Sequence, residues 1–392
     1  MTFAFALTTS PDGPSAPRTG VLTTAHGIVQ TPAFMPVGTL ATVKALMPED
    51  VAATGAEILL CNAYHLYLRP GHERIERLGG VRRFMDWPGP ILSDSGGFQV
   101  FSLAHLRKLD ESGVRFRSHI DGSEHHYTPE LAMAVQRALG VDIAMPLDHV
   151  VPGDAPERSA REAAERTLRW YERSRAAAGD LSTFAIVQGG THPELRAWHS
   201  DSLVSLGAPG YSIGGLSVGE AKSEMWAMAE VVTERLPIEK PRYLMGVGSP
   251  EDLVEGVARG IDMFDCVLAT RLGRNGALFT DEGRANIRNA RFADDPGPID
   301  PACDCAACSR FSMGYMHHLF RTAELLGYRL ASIHNIRYLV RLTERMRAAI
   351  DGGTFAEFAE EFRGRYRPSD EGVRHAQKAK YLAGRAGPGR AH

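Results

Sequence analysis

Cys303, Cys305 and Cys308 place three thiols within six residues, and His334 follows them after a stretch patterned as helix. Thiolate and imidazole are the ligand types Zn²⁺ prefers, and three sulfurs with one nitrogen fill a tetrahedral shell. A filled shell leaves no position for a metal-bound water. One structural Zn²⁺ per chain is therefore expected to organise the fold, and the chemistry must be sought elsewhere. The competing reading is a set of buried or disulfide-bonded cysteines. Only five cysteines occur in 392 residues, three of them here, and Cys-x-Cys is too tight for a comfortable internal bridge. The pattern favours zinc.

Eight short apolar runs mark out the remainder, at 31–38, 57–62, 90–94, 141–148, 183–188, 211–215, 242–246 and 262–266. Each ends in a polar residue, a glycine or a cysteine. Near-continuous hydrophobicity over so few residues suits strands buried on both faces of a parallel sheet. Amphipathic helical patterns at 156–176, 193–206, 220–236 and 250–258 separate several of them. Thr128-Pro129-Glu130 and Ser249-Pro250-Glu251 each set a capping hydroxyl before proline and an acidic first turn. Eight strands alternating with helices is the count of an α/β (β/α)₈ barrel, with a doubly wound open sheet as the competing architecture. No glycine-rich dinucleotide or phosphate-loop fingerprint follows an early strand, which disfavours the usual open-sheet cofactor enzymes.

Two interruptions break the alternation. Residues 113–127 carry Asp121-Gly122 between alternating stretches, so a β-hairpin insertion is expected after the third strand. Residues 272–327 are too long for a barrel loop and hold the cysteine knot. Helical patterns at 311–326, 332–350 and 355–363 follow. The chain is thus expected to be one domain over 1–392: a barrel at 31–270, then a zinc-binding subdomain with closing helices at 272–350. The tail 368–392, rich in Arg, Lys, Gly and Ala, is expected to be mostly disordered. No run approaches the length of a membrane span, and few cysteines without a leader segment point to a cytoplasmic location. A net charge of −3 does not advertise nucleic acid, which a local basic patch would have to hold.

Barrel enzymes carry their reactive groups where strands end. Those ends here supply Asn62, Asp94, Asp148, Gln188, Gly214-Gly215, Met245-Gly246 and Asp265. Carboxylates converging on one pocket suit retaining glycoside chemistry, in which one attacks the anomeric carbon and another moves the leaving group's proton. A single Asp after a strand is more often a helix cap or turn residue. Several polar ends in register tilt the balance toward a site.

These residues carry a resemblance. Ser93-Asp94-Ser-Gly-Gly-Phe98-Gln99-Val100, Gly214-Gly-Leu-Ser-Val218-Gly-Glu220, Tyr243-Leu-Met-Gly-Val-Gly248, Phe264-Asp265-Cys266 and Thr270-Arg-Leu-Gly-Arg-Asn-Gly276 resemble tRNA-guanine transglycosylases. So does the cysteine–histidine set. The likeness runs in order from about 34 to 366. It implies a (β/α)₈ barrel with a zinc subdomain that exchanges the wobble guanine of tRNAs with GUN anticodons for a 7-deazaguanine. It implies Asp265 as nucleophile, Asp94 as general acid/base held by Asn62, and Phe98 and Met245 as a sandwich for the base. Asp148, Gln188 and the Gly215 backbone would read the base's polar edge. The tRNA would be met through its anticodon loop.

Arg271, Arg274, Arg284, Arg288 and Arg291 crowd twenty-one residues, and arginine suits phosphate contact and stacking. Density alone is equally compatible with a solvated surface. The family match at Arg271 and Arg274 favours anticodon-loop binding. Phe311, Tyr315 and His318, spaced on one helical face, suit either core packing or an aromatic homodimer patch as in relatives. Two other readings are a non-catalytic tRNA-binding partner subunit, disfavoured by the presence of both Asp94 and Asp265, and a hydrolase with catalytic zinc, for which His65 and His149 lack a matched ligand set. Asp148-His149-Val150 replaces the Asp-Glu-Cys of many bacterial members, and relatives often have proline and serine at 269 and 272, where this chain has Ala269 and Leu272. Val150 resembles queuine-using eukaryotic members, which pair it with a glycine at the position of Val218. The filled position at Val218 favours 7-aminomethyl-7-deazaguanine, with queuine salvage as the alternative.

Overall fold

The computed structural model describes residues 3–102 and 107–368. Eight parallel strands close into a barrel. The first runs through Ala33–Met35 and Val37–Gly38, parted at Pro36, which has no N–H to give the ladder. Leu59–Asn62, Ile91–Asp94 and Ile143–Ala144 follow, then a fifth strand in two pieces, Ser182–Thr183 and Ala185–Val187. Tyr211–Ile213, Arg242–Leu244 and Met263–Asp265 complete the set. The last strand pairs with the first, Met263 opposite Ala33 and Asp265 opposite Met35, so the sheet has no free edge. All eight lie at the apolar runs, and the alternative of an open sheet is excluded.

Alternate residues of each strand face two different cores. Ala33, Met35, Ile58, Leu60, Leu92, Ile143, Met145, Phe184, Ile186, Tyr243 and Met263 fill the barrel interior. Leu59, Cys61, Ile91, Ala144, Val187, Ile213, Leu244 and Phe264 belong to the outer layer beneath the helices. Burial on both faces explains why these strands were continuous apolar runs. The helices Glu157–Ala178, Pro193–Leu206, Lys222–Thr233 and Pro250–Val257 lie where the pattern placed them. The Thr128 and Ser249 hydroxyls cap their helices, accepting from Leu131 N and Asp252 N.

Three features depart from expectation. A three-stranded antiparallel sheet, Ala4–Leu7, Gly20–Thr24 and Gly27–Thr31, precedes the barrel, and its Leu22 and Val29 join the interior core. The insertion at 113–127 gains a third strand, Arg107–Asp110, paired antiparallel to Gly113–Arg117, with Glu124–Tyr127 on the other side. The patterns at 311–326 and 332–350 divide differently, into helices Met313–Arg321 and Leu325–Asp351. Ala323, in the left-handed region at φ 58°, breaks the chain between them. Beyond the eighth strand come helix Leu268–Asn275, a hairpin of Ala277–Thr280 and Gly283–Asn286, and a final helix Phe355–Arg365. The tail expected from 368 onward lies, but for Pro368, outside the described residues. No described helix is long and apolar enough to cross a membrane.

Candidate active site

The barrel brings the strand-end residues to one face. Asn62 and Asp94 are register partners at the ends of adjacent strands. The Asn62 amide donates to Asp94 Oδ2 at 2.5 Å, while its own carbonyl oxygen accepts His65 N–H at 2.9 Å. Asn62 is therefore both a helix cap and a holder of Asp94. The Ala63 N–H reaches Asp94 Oδ1 at 3.2 Å. Burial first, and then the nearby Asp265 charge, push the Asp94 carboxyl up to about 8. At neutral pH it carries its proton.

Asp265 is 8 % exposed, and its two donors meet on one oxygen. Tyr243 Oη donates to its Oδ1 at 2.6 Å and Gly246 N–H to the same atom at 2.7 Å. Burial raises this carboxyl, and the two donors, Tyr243 foremost, oppose the rise. Among the described residues nothing donates to Oδ2, which leaves one oxygen for chemistry. Two buried carboxyls thus lie within reach of each other's charge with different donors, Asp265 taking both on Oδ1 and Asp94 taking Asn62 and Ala63 on separate oxygens.

A second cluster lies beside this pair. Gln188 Nε2 donates to Asp148 Oδ2 at 2.8 Å and Ser95 Oγ to Asp148 Oδ1 at 3.3 Å. Burial raises Asp148 to about 6, against those two donors. Glycines make the approach possible: a Cβ on Gly97 would overlap Asp148 Oδ1, and one on Gly215 would overlap Gln188 Oε1. Gly215 also sits at φ +62°, so both space and backbone exclude a side chain. Phe98, on the short helix Gly97–Ser102, is 52 % exposed, and Met245 at the end of the seventh strand is half-buried. Val150 is buried and Val218 half-buried, the latter's N–H accepted by Glu220 Oε2 at 2.9 Å.

Asp265 leads directly into the helix Leu268–Asn275, which carries Arg271 and Arg274. Arg271 is exposed and Arg274 half-buried. Burial and then the Arg271 charge lower Arg274 from its ordinary value, and neither forms an ion pair among the described residues. Three other arginines of the cluster have protein contacts: Arg284 lies over Phe279, Arg288 donates to Phe320 O and covers its ring, and Arg291 covers Phe292.

Cys303, Cys305, Cys308 and His334 converge with all ligating atoms within 4.8 Å of one another, the one such group among the described residues. His334 Nδ1 lies 3.3 Å from Cys308 Sγ and 3.7 Å from Cys305 Sγ. Its Nε2 meets the Phe279 carbonyl at 2.6 Å. A carbonyl can only accept, so the proton sits on Nε2 and Nδ1 is left for a metal. The donor set fits a closed tetrahedral site. His65 and His149, weighed as ligands of a catalytic metal, belong to no such group. Beyond the knot, Phe311 stacks on Tyr315 at 5.3 Å and Tyr315 on His318 at 6.5 Å, although Phe311 precedes the helix that Ser312 caps.

Sequence reasoning missed Tyr243, Ser95 and the buried Arg196 and His199 behind Gln188. The one available signal for Tyr243 was strand parity, since it lies an even number of residues from Met245 and so points inward.

The chain matches the family model described as queuine tRNA-ribosyltransferase over residues 12–368. Curated relatives named queuine tRNA-ribosyltransferase share this similarity over nearly their whole length. One from Herpetosiphon aurantiacus is 54% identical over 367 residues, covering 93% of this chain and 94% of the relative. One from Symbiobacterium thermophilum is 54% identical over 378 residues, 96% and 94% of the two chains. One from Desulforudis audaxviator is 56% identical over 354 residues, 90% and 95%.

Proposed function

Because the chain belongs to the queuine tRNA-ribosyltransferase family, and so is a pentosyl-transferring enzyme of tRNA, we propose that it exchanges guanine for a 7-deazaguanine by double displacement at Asp265. The observation that carries this reading is the unequal treatment of two carboxyls in one pocket. Asp265 has Oδ1 fixed by Tyr243 and Gly246 and Oδ2 without a donor among the described residues, while Asp94 is raised to about 8.

In this account Asp265 Oδ2 attacks the ribose anomeric carbon, the C–N bond to guanine breaks, and Asp94 gives its proton to the departing base. The guanine leaves and a 7-deazaguanine enters. Asp94, now ionised, takes the proton from the incoming ring nitrogen, which attacks the anomeric carbon and releases Asp265. Two inversions retain the sugar's configuration and leave the phosphate backbone untouched. Phe98 and Met245 sandwich the flat base, and Asp148, Gln188 and the Gly215 backbone read its edge. Asp148 accepts from ring N–H and amino groups through its two oxygens. Arg271 and Arg274, one helix beyond the nucleophile, hold the backbone of an anticodon loop with a GUN sequence.

The Cys303, Cys305, Cys308 and His334 site holds one structural Zn²⁺, which ties the segment after the barrel to the helix Leu325–Asp351. The stack of half-buried Phe311 with exposed Tyr315 and His318 suits a homodimer contact. The site acts in the cytoplasm, where tRNA is modified. Val218 fills space that a bulky cyclopentenediol substituent would need, so the physiological base is 7-aminomethyl-7-deazaguanine, and queuine is the competing one. Base exchange into tRNA with labelled guanine, the aminomethyl base and queuine offered side by side tests both levels. No exchange of any base would end the catalytic reading, and a wide preference for queuine would end the substrate choice alone.

A further inference from the structure

Arg196 is fully buried on the helix Pro193–Leu206, yet among the described residues no carboxylate pairs with it. A buried guanidinium is costly unless its donors are used. Here they are spent on backbone carbonyls. Nε donates to Gly190 O at 2.8 Å, Nη1 to Gly214 O at 2.9 Å and Val187 O at 3.4 Å, and Nη2 to Gly215 O at 3.3 Å. These oxygens come from the ends of the fifth and sixth strands, the two that carry Gln188 and Gly215. One turn along the same helix, His199 Nδ1 accepts the Gln188 N–H at 2.8 Å.

The peptide joining Gly214 to Gly215 is trans, since the described cis bonds are Thr31-Pro32 and Arg69-Pro70. In a trans peptide C=O and N–H point in opposite directions. A Gly214 carbonyl drawn to Arg196 therefore turns the Gly215 N–H away from the helix. That N–H has no acceptor among the described residues. Gly215 lies against Gln188, whose amide holds Asp148. An N–H donor beside a carboxylate acceptor presents the complement of a ring carbonyl flanked by a ring N–H.

We propose that Arg196 is a positioning residue for base selection: by holding the Gly214 and Gly215 carbonyls it aims the Gly215 N–H at the six-membered-ring carbonyl oxygen of the base. This rests on the proposed reading that Asp148, Gln188 and Gly215 recognise the base. It adds a specificity determinant that never touches the substrate. Arg196 fixes a donor that would otherwise be free to turn, so its loss should weaken only those ligands whose oxygen accepts there.

Guanine and 6-thioguanine separate this role from a structural one, because sulfur keeps the ring's shape and N–H groups but is a weak acceptor. Their inhibition constants against labelled-guanine exchange into tRNA are measured for the wild-type chain, Arg196→Lys and Arg196→Met, with melting temperatures alongside. In the wild-type chain guanine should bind about tenfold tighter than 6-thioguanine, the size expected of one good hydrogen bond. Arg196→Lys should stay folded, raise KM for guanine about tenfold with kcat nearly unchanged, and bring the two inhibition constants together. Arg196→Met should show the same convergence if it folds; Arg196→Lys carries the test if it does not. A folded Arg196→Lys that keeps the wild-type preference, or that weakens both ligands equally, overturns the proposal. A wild-type chain with no exchange activity overturns the underlying reading instead.

Discussion

The buried Tyr243 hydroxyl donates to Asp265 Oδ1 at 2.6 Å, across the adjacent seventh and eighth barrel strands. It opposes the rise that burial imposes on this carboxyl. Tyr243→Phe removes that donor and little else. The Asp265 pKa should then rise, and the acidic limb of the exchange rate should move to higher pH. At neutral pH, kcat should fall roughly ten- to hundredfold, the scale of losing one well-placed charge-assisted bond. A pH–rate profile checks both. An acidic limb that stays in place would show that Tyr243 does not tune the nucleophile.

Asp94 gives a stability signature separate from catalysis. Its folded pKa, about 8, stands above the ordinary carboxylate value, so the native state keeps a proton that the unfolded chain gives up near pH 4. Its contribution is full below that pH and is lost as pH rises toward 8, with a limiting slope of about 1.4 kcal/mol per pH unit. Asp94→Asn abolishes the slope. The stability of Asp94→Asn relative to wild type should therefore climb between about pH 4 and 8 and then level off. Denaturant melts across that range measure it, and a difference independent of pH would contradict the raised pKa.

The cysteine–histidine site should return one zinc per chain by elemental analysis. Cys305→Ser should lower metal content and melting temperature together, because a structural site contributes its binding energy to folding. A metal-free Cys305→Ser protein with unchanged melting and full exchange activity would remove zinc from the account.

The barrel was legible because its strands are buried on both faces and therefore spell continuous apolar runs. The N-terminal sheet was not. Its strands alternate more and less exposed residues over only four or five positions, too short a pattern to stand out. The two candidate carboxyls, Asp94 and Asp265, were visible as polar strand ends, and Asn62 proved to be cap and holder of Asp94 at once. Tyr243 and Arg196 were hidden for a different reason. What each does depends on a neighbouring strand, and Arg196 and His199 on an amphipathic helix look like its solvated face until the carbonyls they meet are known.

On the proposed reading Val218 fills space in the base pocket, which bears on which base enters. Val218→Gly should improve queuine use relative to the aminomethyl base about tenfold or more, the usual yield of a few methylenes of space. Competition between the two bases for one tRNA reads the ratio. A wild-type protein that already prefers queuine widely would show that Val218 imposes no such limit.

The covalent role of Asp265 is the central claim, and trapping tests it most directly. Wild-type protein mixed with a GUN-anticodon tRNA and denatured during turnover should yield a denaturation-resistant protein–tRNA adduct. Asp265→Asn keeps the shape and the Gly246 contact but lacks the charged oxygen, and should give no adduct and no exchange. The contrary result is an Asp265→Asn protein that still forms the adduct and exchanges guanine near the wild-type rate while Asp94→Asn does neither.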